Sequence, residues 1–377
     1  MRGENSWIGT NISRLRSERR LTQEELAHQA GITRVTLGKV ERGVVLPRAS
    51  TLGALAHSLD VSIRELVEPV PRLEGVRFRA GRRVHSREQI LAEVAHWLND
   101  YNWLERELDA LRPYQFASIR ADLDPQKAAR KVREAAGVGP FEPVRDICGL
   151  LEHTGVKVLL HPTQRESYFG LSVSSEGGGP AVVVNTWDRI SVERWIFTAA
   201  HELGHLVLHP HEYNRADTGE SKAPEREADA FASEFLMPVT AFVREWDETR
   251  GHPLLTRVLK VKRIFRVSYK TVLFRLVESG RESKSVWAAF QAQHKAYFGA
   301  TLKRAEEPRA LEQSEFAWDW RRAGEPERLS PHDFVEDRLW RLVRRALEVK
   351  LISLGRAAEI VGLTLDDMRM RARAWCA

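Results

Sequence analysis

A chain of 377 residues is long enough for two or three domains rather than one. Its balance of 43% hydrophobic and 29% charged residues is that of a globular protein, and no apolar run approaches the roughly 20 residues that span a bilayer. Two cysteines, Cys148 and Cys376, exclude a disulfide framework and a cysteine-built zinc finger, and a net charge of +6, drawn from 58 basic and 52 acidic residues, favours an anionic partner only mildly. The opening Met1-Arg2-Gly3-Glu4-Asn5-Ser6-Trp7 lacks the apolar core of a signal peptide, so the expectation is a cytoplasmic protein with no membrane partner.

In chain order, residues 9–68 read as short helices between tight turns. The break Pro69-Val70-Pro71 follows, then the basic stretch Arg77-Phe78-Arg79-Ala80-Gly81-Arg82-Arg83. From Ser86 to Leu111, Ile90, Val94, Trp97, Tyr101, Leu104 and Leu108 recur at helical spacing, and Pro113 stops the helix. Further helices are predicted over 125–136, closed by Gly137 and Gly139, and from Pro143 to Thr154, closed by Gly155. The period then changes. Val156–Leu160, Tyr168–Val173 and Ala181–Asn185 read as strands, the last two joined by the turn Glu176-Gly177-Gly178-Gly179-Pro180. A long helix is predicted from Ser191 to Leu208 and another from Pro224 to Leu236, stopped by Pro238. The last third is mostly helical. There, Trp287, Trp318, Trp320, Trp340 and Trp375 read as core or interface anchors rather than a platform for bases. Leu351–Thr364 reads as a helix-turn-helix fragment or a plain packing helix, and Arg338, Arg341, Arg344 and Arg345 as a solvated face.

Within the first region, Thr22-Gln23-Glu24-Glu25 is a capping box that opens a helix carrying Leu26 and Ala27 inward. Gly31 supplies a sharp turn, Thr33 caps a second helix to Glu41, and Gly43 ends it. Ser50 is the expected cap of a third helix, and a fourth is predicted from Ser62 to Val67. The run LTQEELAHQAGITRVTLGKVERG (21–43), with Pro47 and STLGALAHSLDVSIREL (50–66), resembles the lambda-repressor/Cro-like, Xre-type helix-turn-helix family. The resemblance implies double-stranded DNA as partner, with the second helix of the motif in the major groove. It makes Arg34, Thr36 and Lys39 candidate base or groove contacts and Gln23 a candidate phosphate contact. Gly38 departs from the small polar residue usual at its position. The competing reading is a helical domain that binds protein.

The second motif is His201-Glu202-Leu203-Gly204-His205. Histidines at i and i+4 share one helical face, where a single Zn²⁺ can take both imidazoles. Glu202, between them, is then placed to accept a proton from an attacking water. Apolar Ile196-Phe197-Thr198-Ala199-Ala200 before the motif and Leu206-Val207-Leu208 after it bury the helix, so its polar side chains need a partner such as a metal. Glu225-Arg226-Glu227-Ala228-Asp229 offers the third ligand: Glu225 ligates while Asp229, on the same face, bonds a ligating histidine, with Glu227 as the second choice. His209 reads as a structural or supporting residue.

RWIFTAAHELGHLVLH (194–209) and EREADAFASEFLMP (225–238), with GPFEPVRDICGLLEHTGVKVLL (139–160) and VVVNTWD (182–188) upstream, resemble the ImmA/IrrE family of metallopeptidases over about residues 122–278. The stretch VLKVKRIFRVSYKTVLFRL (258–276) is similar to the helical element that follows the peptidase core in that family. The resemblance implies a thermolysin-like His-His-Glu zinc site and limited proteolysis of a transcriptional repressor. The fold class expected is mainly α with a small β-sheet (α+β): an all-α helix-turn-helix domain at 9–68, a basic linker and helix at 69–121, a zincin-like zinc metallopeptidase domain at 122–280 and a helical C-terminal region at 281–377. The function expected is a DNA-binding zinc metallo-endopeptidase that cleaves a repressor or antitoxin-like regulator in a stress or mobile-element response, with homo-oligomerisation left open. The alternative is a non-proteolytic transcription regulator whose zinc domain senses a ligand or metal.

Overall fold

The computed structural model of the chain describes residues 6–19, 21–67, 73, 75–80, 87–119, 122–164, 168–210, 213, 222–303, 306–309 and 329–376. The chain divides into two compact units, one of residues 1–73 with 83–100, the other of 74–82 with 101–377. No helix among the described residues is long and apolar enough to cross a membrane.

The first unit holds α1 (Ser6–Glu18), α2 (Gln23–Gln29), α3 (Arg34–Glu41), α4 (Ala49–Ser58) and α5 (Ile63–Val67). The capping box at Thr22 forms in both directions: the Glu25 N–H donates to Thr22 Oγ1 at 3.2 Å and the Thr22 N–H donates to Glu25 Oε2 at 2.7 Å. Gly31 turns the chain at φ 67°, and Thr33 caps α3 by accepting from the Thr36 N–H at 3.1 Å. Ser50 is not the cap of α4. That helix begins one residue before it, after an extended Arg48, and no side chain caps it. Ile12, Leu15, Leu26, Leu37, Val40, Leu55, Leu59 and Leu66 form one buried core. Truncating a leucine in such a core typically costs about 2–5 kcal/mol.

The second unit opens with a strand that the sequence reading leaves in a basic linker, β1 (Val76–Ala80). Its Val76-Arg77-Phe78-Arg79-Ala80 alternates apolar and basic residues, the period of a strand, but five residues inside a basic stretch carry little signal before the partner strand is known. Next in chain order come α6 (Arg87–Glu107), which belongs to the first unit as far as Asp100, then α7 (Pro125–Ala135), α8 (Ile147–His153), β2 (Lys157–Leu160), β3 (Tyr168–Val173), β4 (Ala181–Val184), α9 (Val192–Leu208) and α10 (Lys222–Leu236) of the second. Ser86, the expected start of α6, lies outside the described residues. The helix expected from Pro143 starts only at Ile147, where Asp146 caps it through the Gly149 N–H at 2.8 Å.

The sheet order is β1-β3-β4-β2, with β2 parallel to β4 and the other two pairings antiparallel. β4 is buried on both faces, which explains its unbroken Ala181-Val182-Val183-Val184. On β3 and β4 lies α9, buried along nearly its whole length. α10 packs on α9 at Gly204, where a Cβ would stand 3.0 Å from Phe231 Cδ1 and 3.3 Å from the Ala228 Cα. That missing side chain lets the two helices approach closely enough to share a site.

Beyond α10 follow α11 (Val239–Asp247), α12 (Leu254–Phe265), α13 (Tyr269–Glu278), α14 (Val286–Phe298), α15 (Arg338–Glu348), α16 (Leu354–Ile360) and α17 (Leu365–Cys376). Trp318 and Trp320 lie outside the described residues; Trp287 packs on the core and Trp340 under the Arg371 guanidinium. The N-terminus of α15 is anchored by Glu152, whose carboxylate accepts the Asp337 and Arg338 N–H groups, and by Glu105, which pairs with the Arg338 guanidinium at 2.5 Å. Arg338 is therefore buried, not on a solvated face, while Arg341, Arg344 and Arg345 are exposed.

The pair α16–α17 repeats the backbone of α2–α3. Both first helices have seven residues. Gly31 and Gly362 turn at φ 67° and 66°, each donating to the carbonyl three residues back at 3.2 Å. Ile32 and Leu363 each donate five residues back at 2.9 Å, and Thr33 and Thr364 each cap the following helix at 3.1 Å. At the places of Arg34, Thr36 and Lys39, α17 carries Leu365, Asp367 and Met370. The turn geometry recurs there without the basic chemistry.

Candidate metal centre and nucleic-acid interface

His201 and His205 stand one turn apart on α9, fully buried, with their Nε2 atoms 3.0 Å apart. Glu225, in the first turns of α10, faces both: Oε2 lies 3.3 Å from His201 Nε2 and Oε1 3.3 Å from His205 Nε2. These three side chains form a group able to hold a metal ion, their ligand atoms mutually within 4.8 Å. Tetrahedral zinc with bonds of about 2.0–2.2 Å sets its ligand atoms roughly 3.3–3.5 Å apart. The donor set and its spacing fit such an ion.

The far side of each imidazole settles its tautomer. His201 Nδ1–H donates to Asp229 Oδ1 at 2.8 Å, which leaves the Nε2 lone pair facing the cluster. For His205 the partner is another histidine. His209 Nε2–H donates to Glu227 Oε2 at 2.8 Å, so His209 Nδ1 accepts from His205 Nδ1–H at 3.0 Å. The result is again a bare Nε2 on the cluster side. Burial presses His205 down to about 3, against the opposing pull of Glu225, so the ring is neutral at ordinary pH as a ligand must be. Glu227, the second choice for third ligand, points instead to His209.

Glu202 is fully buried on the neighbouring face of α9. Its Oε2 accepts from Ser172 Oγ at 2.7 Å, and Ser172 Oγ accepts from the Tyr213 OH at 2.9 Å. The burial that raises the Tyr213 hydroxyl well above its ordinary value keeps it a donor. Ser172 is invisible as a site residue in sequence, since it is one polar residue in a strand. Tyr213 is near the motif in sequence but not placed by it. A third unforeseen member is Arg77 of β1, whose Nη2 lies 3.3 Å from Glu225 Oε1. His211 lies outside the described residues.

On the first unit, Arg34, Thr36 and Lys39 project from α3 and are exposed. Arg34 is 65% exposed and pairs with Glu24 at 3.9 Å, a loose pair that phosphate can outcompete. Gln23 is differently occupied: its amide donates to Glu41 Oε2 at 2.6 Å, and Glu41 is also held by Arg16 at 2.7 Å. Gly38 is buried close to that amide.

These features define a class: a DNA-binding helix-turn-helix domain joined to an α+β domain with a zincin-like arrangement of two helices around a metal-ligand group. Residues 151–277 match the IrrE N-terminal-like domain of the peptidase M78 family, and residues 12–66 match the helix-turn-helix family. The chain is 45% identical over 62 residues to an uncharacterized HTH-type transcriptional regulator of Sinorhizobium fredii, covering 16% of this chain and 80% of that protein. It is 38% identical over 60 residues to the immunity repressor protein of Bacillus phage phi105, covering 16% of this chain and 42% of the repressor. The chain belongs to the Xre-type helix-turn-helix proteins and carries behind that domain an ImmA/IrrE-type, peptidase M78 domain.

Proposed function

We propose that the chain is a DNA-binding metallo-endopeptidase that cleaves a transcriptional regulator, with His201, His205 and Glu225 as metal ligands, zinc as the ion and Glu202 as the base. The observation that carries this reading is the buried Glu202 carboxylate, held by Ser172 on the helix that bears both histidines. A site that only retained a metal would have no use for it. When bound, zinc would polarise the scissile carbonyl and make water a better nucleophile. The work of the chain's own residues follows from geometry. The Ser172 hydroxyl, itself fixed by Tyr213, orients the Glu202 carboxylate, which takes the proton of the attacking water and passes it to the departing amine. Asp229 and the His209–Glu227 pair keep both imidazoles turned with Nε2 inward.

The phage repressor among the relatives supports a regulator of that kind as neighbour or target. The second reading, a regulator that senses metal without cleaving, is favoured by the same match, since that protein is named for repression alone. Metal analysis and cleavage of co-encoded regulators, with wild type and Glu202→Gln, decide between them. Zinc bound with cleavage lost only in the variant supports the peptidase; zinc bound with no cleavage by wild type supports the sensor.

A further inference from the structure

Strand β3 has two edges. One pairs with β4; the other is taken by β1, in the register Val76 to Val173, Arg77 to Ser172, Phe78 to Leu171 and Arg79 to Gly170. Residues directly opposite each other on an antiparallel pair share a face of the sheet. Ser172 sends its hydroxyl to Glu202, and Arg77, opposite it, sends its guanidinium to Glu225. The edge that β1 covers is thus the edge beside the metal-ligand group. An extended peptide docks on a sheet edge by continuing the backbone ladder, and this edge would bring it to that group.

The occupant is foreign to its neighbourhood in chain order. Residues 74–82 belong to the second unit, while 1–73 and 83–100, on either side of them in sequence, belong to the first. Its start is shaped for docking: Gly75 sits at φ +63°, its carbonyl accepts the Ser174 N–H at 2.9 Å, and a Cβ there would lie 2.3 Å from Ser174 Oγ. Only glycine fits. Arg77 meets the same Glu225 oxygen that faces His205, so the strand is tied to the carboxylate of the metal-ligand group itself.

We propose that residues 75–80 are a resident strand on the peptide-docking edge of β3, latched by Arg77 on Glu225, and that substrate reaches the metal group only when this strand lifts. This rests on the peptidase reading for its substrate but not for its latch. The strand is short, it has one partner strand, and its latch is a partly exposed ion pair, which are the properties of an element that opens without unfolding the domain.

The test uses the full chain loaded with zinc: wild type, Gly75→Val to spoil the start of the strand, and Arg77→Ala to remove the latch. Backbone amide exchange is read at 76–80, in β4 and in α9, together with the rate of zinc loss to a chelator and cleavage of a candidate regulator. Both variants should exchange faster at 76–80 with β4 and α9 unchanged. If the open form is roughly 0.1–10% of wild type, zinc loss should speed by about tenfold or more, and cleavage with it. Zinc loss unchanged or slower while 76–80 opens would make β1 a structural edge and overturn the proposal. So would loss of protection in β4, or exchange at 76–80 that neither variant alters. A cut within 75–80 on zinc loading would make the strand a substrate rather than its competitor, which also overturns it. Faster zinc loss with no cleavage in any variant would leave the latch standing and remove the peptidase reading.

Discussion

At the scale of single residues, the roles of Glu202 and His209 separate cleanly. Adjacent side chains on a helix diverge by about 100°, so Glu202 faces away from the ligand positions of its neighbour His201. Glutamine keeps the shape and can still accept from Ser172, yet it cannot take a full proton. Glu202→Gln should therefore keep about one zinc per chain and lose cleavage by roughly 10²–10⁴-fold. A variant that arrives without zinc would make the carboxylate a ligand. His209→Ala should act in the opposite sense. It removes the acceptor that fixes the His205 tautomer, and zinc affinity should fall by about 10–100-fold. Competition with a chelating dye measures this, and unchanged affinity would reduce His209 to a packing residue.

At the scale of elements, the meeting of α9 and α10 decides whether Glu225 can reach both histidines. Gly204→Ala puts a methyl group against Phe231 and Ala228, a fit tight enough to push α10 outward. Overpacking of this kind costs about 1–3 kcal/mol. The variant should lose both melting temperature and zinc affinity; a loss of stability with zinc affinity intact would show that α10 moves without carrying Glu225. The link between α8 and α15 gives a pH signature. Burial pushes the Glu152 carboxyl up to about 7, although the Asp337 and Arg338 N–H groups pull the other way. An acid with a higher pKa folded than unfolded keeps its proton longer in the folded state. Its contribution is most favourable at low pH and falls as pH rises from near 4.5 through about 7. Glu152→Gln should flatten that part of the stability curve in urea titrations, and parallel curves for the two proteins would disprove the assignment. Much of this level is legible in sequence, because α2, α3, α9 and α10 announce themselves by caps, turns and period. The i to i+4 spacing brings His201 and His205 together, and Glu225 shares its α10 face with Asp229. What stays hidden depends on long-range pairing. β1 shows its strand period over only five residues in a basic stretch, Ser172 acts through the pleat that turns it to Glu202, and the His205–His209–Glu227 chain needs two helices in register. The Ser50 cap fails for a local reason: a good cap residue is irrelevant where the helix begins before it.

At the scale of the whole molecule, two separate cores carry two chemistries, and each should be removable without the other. Arg34 and Lys39, the proposed groove contacts, are exposed and add positive charge to α3, whereas the candidate metal ligands lie in the other compact unit. Arg34→Ala with Lys39→Ala should weaken DNA binding at every salt concentration. If both side chains neutralise phosphates, the slope of log affinity against log salt should fall by nearly 2. If Arg34 reads a base edge instead, the slope should fall by about 1, and discrimination between operator and random DNA should drop by a factor that about 1–3 kcal/mol represents. Zinc content and regulator cleavage should stay at wild-type levels, since both side chains belong to the first unit and the candidate metal group to the second. Glu202→Gln should do the converse, binding operator normally while failing to cleave. DNA titrations at several salt concentrations, run on the preparations used for zinc analysis, read all of these outcomes. Unchanged operator binding in the double variant would move the nucleic-acid face off α3, and a matching loss of zinc would mean that the two units do not work independently.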